Sequence, residues 1–194
     1  MGSADVFSAG IIGVFMLVPP ILDYALASRV GGFSARSAFD DPEFRRVVGL
    51  IALADMLAIT AGLFATPFDL PGNTWAWLVL GIALMCVGNG LRCWAILSLG
   101  QFFRFVVAIQ SDHRVITGGP YRLVRHPAYL GIVLIQLGIG IANANSLSLL
   151  LCIAIPMLGL VRRIQREELA LFGDLGTEYA AYAAGTKRLI PKVW

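Results

Sequence analysis

Gly118-Gly119-Pro120-Tyr121-Arg122-Leu123-Val124-Arg125-His126-Pro127-Ala128-Tyr129-Leu130-Gly131 is a polar, punctuated stretch set between two long apolar segments. Gly118, Gly119 and Pro120 close off what precedes them. Pro127 suits the first turn of a helix, where a missing N–H would find no partner in any case. A helix starting there leaves His126 at its boundary and puts Tyr129 one turn in, near the positive pole that favours an anionic group. Arg125, His126 and Tyr129 thus gather at the mouth of a helix that runs on into apolar residues.

The surrounding composition sets the solvent. Of 194 residues 58% are hydrophobic and 14% charged, against about 25% charged in an ordinary soluble domain, and mean hydropathy is +0.77. Several runs approach the roughly 20 apolar residues that cross a bilayer. The expected fold is an all-α integral membrane protein, one membrane domain over 1–194. Helices are expected near 6–27, 47–66, 74–97, 128–142 and 147–161, five transmembrane helices of which the last two form a short hairpin. Segments 98–127 and 162–194 read as cytoplasmic, the second an amphipathic C-terminal tail. The net charge of +3 comes from arginines flanking the membrane, so the lipid bilayer is the expected partner and nucleic acid is not. Cys86, Cys93 and Cys152 match no zinc or disulfide spacing and read as small buried hydrophobes.

Within the runs, Pro19-Pro20 should kink or break the first helix, with Asp23 one turn on. Asp41-Pro42-Glu43 resembles a capped helix start. Asp55 sits deep in the second run, where a carboxylate is expensive and faces the bundle interior; a hydrogen bond to another helix and a functional role are both open. Trp75 and Trp77 open the third run at the interface. Asn89 and Arg92 share a face late in it: Arg92 either snorkels or helps Asn89 line a polar cavity. Gly81, Gly88 and Gly90 suit close helix contact or self-association. Gln136 lies in the fourth run, and Pro156 interrupts the fifth.

All 15 Lys and Arg residues fall on one side if Arg92 is placed at the inner end of the third helix. That positive-inside pattern puts the N-terminus outside, the C-terminus in the cytoplasm and the His126 region on the cytoplasmic face. A bacterial or archaeal cell membrane is the expected location. Arg122, Arg125, His126, Tyr129, Glu167, Glu168, Tyr179 and Tyr182 then concentrate at one membrane face. The mixture is unlike an ion pore and suits a polar, zwitterionic cofactor beside a lipid-phase substrate. Neither a dinucleotide fingerprint nor a phosphate-binding loop is present, and His113 and His126, the only histidines, show no metal-ligand pattern, so no metal is expected.

Gly119-Pro120-Tyr121-Arg122-x-x-Arg125-His126-Pro127-x-Tyr129-x-Gly131, then Glu167-Glu168-x-x-Leu171-x-x-x-Leu175-Gly176-x-x-Tyr179-x-x-Tyr182 and Arg188-Leu189-Ile190-Pro191, resembles the isoprenylcysteine carboxyl methyltransferase and phospholipid methyltransferase family. The resemblance runs from about Leu91 to Pro191 and takes in Asp112-His113-Arg114-Val115. Leu175-Gly176 departs from the family's Phe-Gly.

The resemblance implies S-adenosylmethionine as cofactor, its amino-acid end near His126 and Tyr129. It implies Arg125 with Glu167 or Glu168 as the essential pair. Cofactor contacts are assigned to His113, Tyr121, Arg122, His126, Pro127, Tyr129, Tyr179 and Tyr182, and substrate contacts to Asn89, Arg92, Trp94 and Phe102. Methyl transfer from a sulfonium is an in-line displacement that asks for alignment and exclusion of water. Tyr121, Tyr129 and Trp94 are candidate faces for the positive sulfur. A carboxylate acceptor calls for Arg125 or Arg92; an amine or thiol calls for a base, Glu167 or Glu168, of which only one should face the site. The acceptor is expected to be lipophilic or membrane-partitioned: a prenylcysteine-like carboxylate, a phospholipid amine or a small thiol. A membrane NADPH-dependent sterol or lipid reductase, with a similar late His-Pro-x-Tyr, and a non-enzymatic transport or scaffold protein stand as alternatives.

Overall fold

The computed structural model describes residues 3–29, 40–103, 115–190 and 193–194, with side chains from residue 9 onward. Among these residues the chain is helical throughout, without strands. The helices are α1 (Ser3–Arg29), α2 (Pro42–Phe64), α3 (Thr74–Leu99), α4 (Pro127–Ala142) and α5 (Ser146–Gly185), with short 3₁₀ turns at Thr66–Phe68, Gly100–Phe102 and Gly119–Arg122.

Local chemistry explains the helix starts. Asp41 caps α2 by accepting from the Glu43 N–H at 3.0 Å, with Pro42 at the first position. Asn73 caps α3 on the Trp75 N–H, and Asn145 caps α5 on the Leu147 and Ser148 N–H groups. His126 precedes α4 with Pro127 in its first turn, as the spacing predicts, although the imidazole makes no capping bond.

Four of the helices are long and apolar enough to cross a membrane. Large apolar side chains such as Leu17, Met56, Val79, Val87 and Leu158 lie on the outside, where a bilayer rather than water would meet them. The protein is an integral membrane protein. α4 has 16 residues, about 24 Å, and is short for a span of about 30 Å.

The last helix differs from its expected form. α5 consists of two helical stretches that meet in a kink at Gly176, and the first of them carries the expected short helix straight on into the polar tail. Pro156 lies inside it without ending it; the backbone departs from helical geometry instead at Gly176, at φ 51°. A proline removes one N–H and is tolerated where neighbouring helices support the backbone, whereas a left-handed residue turns the chain outright. α1 likewise continues through Pro19-Pro20.

α3 and α4 meet backbone to backbone. A Cβ on Gly88 would stand 2.7 Å from the Gly131 carbonyl oxygen, and one on Gly81 would stand 2.4 Å from that of Gly138. Gly90 has open space around it and takes no part. α2 lies on α5, where Ser148 Oγ donates to the Ala58 carbonyl at 2.7 Å. The core joins Ile12 of α1, Ala58 of α2, Leu78 and Met85 of α3, Ile135 and Ile139 of α4 and Cys152 of α5. The expectation of three buried cysteines needs correction. Cys152 is buried, but α3 turns Cys86 outward and leaves Cys93 partly exposed.

Candidate active site

The central sequence stretch is held by the end of α5 and the chain beyond it. The Arg125 N–H donates to the Lys187 carbonyl at 2.8 Å and the His126 N–H to that of Arg188 at 2.9 Å. Tyr182 Oη donates to the Tyr121 carbonyl at 2.6 Å. Gly119, at φ 58°, makes the turn beneath, so close to α3 that a Cβ would stand 2.8 Å from Ser98 Oγ.

Glu168 is the knot of this assembly. Only 2% exposed, it accepts from Arg125 Nε at 2.7 Å and Arg188 Nε at 2.6 Å, with His126 Nε2 at 3.3 Å. Arg125 also donates to the Ala183 and Thr186 carbonyls. Two guanidinium groups on one buried carboxylate give a strong, directional clamp. Losing a member would strand a buried charge.

Glu167, one residue earlier, points elsewhere. Tyr129 Oη donates to Glu167 Oε2 at 2.7 Å and accepts from Arg163 Nε at 2.8 Å. Arg163 in turn lies 3.6 Å from Asp41 and over the Phe44 ring, tying the start of α2 to this chain of contacts. On the α1 side, Arg92 Nε meets both Asp23 oxygens at 2.7 and 2.8 Å, and its Nη1 donates to the Ala128 carbonyl at 3.1 Å. Arg92 is therefore buried in an ion pair rather than snorkelling.

These groups surround one cavity of about 510 Å³. Its polar end is walled by Tyr121, Arg125, His126, Tyr129, Glu167, Tyr179 and Tyr182, with Arg92 and Phe102 beside them. Its apolar arm runs between α1, α2 and α4, past Val47, Ile51, Ile132 and Ile135, to Met16, Asp55, Gln136 and Ile139. Tyr179 packs edge-on against Phe172 and Tyr182. Its hydroxyl is buried with no hydrogen-bond partner among the described residues. Burial, and then the charge of Glu167, push the Tyr121 phenol well above its usual range, so it is neutral and donates to the Ala95 carbonyl.

Nine of the residues named from sequence for a site role therefore meet in one wall. Five do not reach it: Glu168 is held in the clamp, Arg122 is exposed and Trp94 half-exposed, Pro127 only starts α4, and Asn89 donates back to the Met85 carbonyl of its own helix. His113 lies outside the described residues, as do Asp112 and Arg114. Asp23, Phe44 and Arg163 belong to the wall without having been singled out. Their partners are distant in sequence, so no local pattern marks them. Asp55 makes the helix-to-helix bond considered for it, accepting from Gln136 Nε2 at 2.9 Å, and also lines the arm.

Residues 79–173 match the family model described as the isoprenylcysteine carboxyl methyltransferase (ICMT) family. That window holds the Arg125-to-Tyr129 motif and both glutamates. The matches support the ICMT family. The chain is 32% identical over 114 residues to the protein-S-isoprenylcysteine O-methyltransferase of Schizosaccharomyces pombe, covering 58% of this chain and 48% of that one. It is 30% identical over 127 residues to the protein-S-isoprenylcysteine O-methyltransferase A of Arabidopsis thaliana, covering 63% and 64%. A solved structure of the eukaryotic intramembrane Ras methyltransferase ICMT superposes with a TM-score of 0.65 at 27% identity, over 73% of this chain and 52% of that one. The chain spans from about half to somewhat under two thirds of the length of these ICMT relatives. Its first two helices lie before the ICMT window, although they supply one side of the cavity.

Proposed function

We propose that the protein transfers a methyl group from S-adenosylmethionine to the carboxylate of a lipophilic, thioether-linked cysteine, working from the cytoplasmic face. The observation that carries this is the continuity of the cavity: one end is polar and clamped by ion pairs, the other is an apolar arm between membrane helices. A soluble cofactor and a lipid-phase acceptor need such a meeting place.

The donor set suits this cofactor. Glu167 presents a carboxylate to a cationic ligand, and the faces of Tyr121, Tyr129 and Tyr182 suit a sulfonium. The buried, unpartnered Tyr179 hydroxyl offers a hydrogen bond that no protein group among the described residues takes. The bound cofactor supplies an electrophilic methyl carbon. Tyr129, fixed between Arg163 and Glu167, orients that end of the site. Helices α1, α2 and α4 exclude water around the acceptor.

A carboxylate acceptor loses no proton, so it calls for positioning rather than a base. Arg125 has its Nε and Nη1 committed to Glu168 and backbone carbonyls, which suits a positioning role. Arg92 has an Nη2 group without a partner among the described residues and stands in the cavity wall. Because Asp23 already balances its charge, Arg92 would hold the acceptor by hydrogen bonds more than by net attraction.

The test is transfer of labelled methyl to N-acetyl-S-farnesylcysteine by the detergent-purified full chain, read as base-labile ester. Ester formation, abolished by Arg92→Ala in folded protein, is the expected result. Label appearing only in phospholipid amines or thiols would overturn the carboxylate assignment, and no transfer to any acceptor would overturn the proposal.

A further inference from the structure

We infer that Asp55, held by Gln136, is the specificity-determining residue of the apolar arm: it turns away an acceptor whose unbroken hydrocarbon reaches it and admits one that ends short of it or bears a hydrogen-bond donor there. This rests on the reading that the acceptor occupies the cavity.

Phe44, Val47, Val48, Ile51, Ala52 and Asp55 of α2 face the cavity at helical spacing, and only the deepest of them is a carboxylate. Gln136, opposite on α4, is about 15 Å along the helix axis from His126 at a rise of about 1.5 Å per residue. The arm is therefore hydrocarbon-lined from Tyr129 inward and meets one polar pair, Asp55 and Gln136, beside Met16 and Ile139 at its far end.

Asp55 is incompletely satisfied. Its Oδ1 accepts from Gln136 Nε2 at 2.9 Å, while Oδ2 has no hydrogen bond from the described residues. Asp23, the other carboxylate on the membrane side of the wall, contrasts with it, since Arg92 takes both its oxygens. A methyl terminus packed on Asp55 would strip the free oxygen of any water and return no hydrogen bond, a penalty large enough to rank ligands. A hydroxyl or amine at that depth would remove the penalty. Asp55 lies on α2, outside the ICMT window of residues 79–173.

The test measures binding, independently of turnover. Radiolabelled N-acetyl-S-butyl-, S-octyl- and S-hexadecylcysteine, each with a terminal-hydroxyl counterpart, are titrated onto the full chain in nanodiscs against empty nanodiscs. The expected result is octyl binding about tenfold tighter than hexadecyl, with the terminal hydroxyl restoring the hexadecyl affinity, and both effects erased in Asp55→Leu. Should Asp55→Leu not fold, the near-isosteric Asp55→Asn is expected to cut the octyl preference at least threefold. A purely structural Asp55–Gln136 bond would leave the ratio where it was in either variant. That outcome, or hexadecyl binding at least as well as octyl in the unaltered chain, or no saturable binding of any compound, overturns the inference. S-adenosylmethionine is titrated onto the same preparation: a missing cofactor with an intact chain preference would sink the methyltransferase reading and leave the filter standing.

Discussion

Glu167 and Glu168 are adjacent, chemically identical and differently employed. Consecutive helical residues point about 100° apart, which tells that they diverge but not which one turns toward the cavity. That choice depends on Arg188, on Arg125 and on the return of the chain beyond α5, none of which is local to the pair. Glu168→Gln should remove the carboxylate charge between the Arg125 and Arg188 guanidinium groups and destabilise the fold by about 3–5 kcal/mol, seen as a large fall in thermal unfolding temperature. Glu167→Gln should leave that temperature within a few degrees while lowering methyl transfer at least about tenfold, because its partner is a neutral phenol and its carboxylate lines the cavity. Equal destabilisation by both would contradict this division. Tyr129→Phe, which leaves Arg163 Nε and Glu167 each short of a hydrogen bond, should cost about 1–3 kcal/mol and raise the apparent KM for the cofactor.

At the scale of elements, the apolar runs made most helices legible, because the bilayer demands length and uniform hydropathy. The end of the fifth run was not legible. Pro156 and the onset of charge at Arg162 both look like a stop, yet a helix leaving a membrane changes its side chains without changing its backbone. Gly176 carries the real departure, which composition does not announce. The role of glycine was legible at Gly81 and Gly88 only as a possibility, since the answering Gly138 and Gly131 lie on another helix. Gly88→Ala should therefore cost about 1–3 kcal/mol through overpacking. Gly90→Ala, with nothing within 4 Å of its Cβ, should be neutral or stabilising by up to about 1 kcal/mol. Thermal unfolding of the two variants side by side decides it; similar effects would contradict a backbone contact between α3 and α4.

At the scale of the molecule, a short chain builds its cavity by borrowing. Most of the polar end comes from the ICMT family window, residues 79–173, and much of the apolar arm comes from α1 and α2, which precede that window. The Asp23–Arg92 pair that joins the two parts spans 69 positions and could not be read from sequence, whereas the one-sided basic bias of the loops is a property of the sequence itself. That bias predicts sidedness: in a cysteine-free background, Pro71→Cys should react with an impermeant thiol reagent on intact cells, and Asp174→Cys only after permeabilisation.

On the proposed function, the cavity's polar end holds an adenosyl cofactor. Isothermal titration of the purified chain with S-adenosylhomocysteine tests it most directly. Saturable one-to-one binding is expected, weakened at least about tenfold in Glu167→Gln, with no binding of NADPH. Folded protein that binds no adenosyl compound, or that binds NADPH instead, would contradict it.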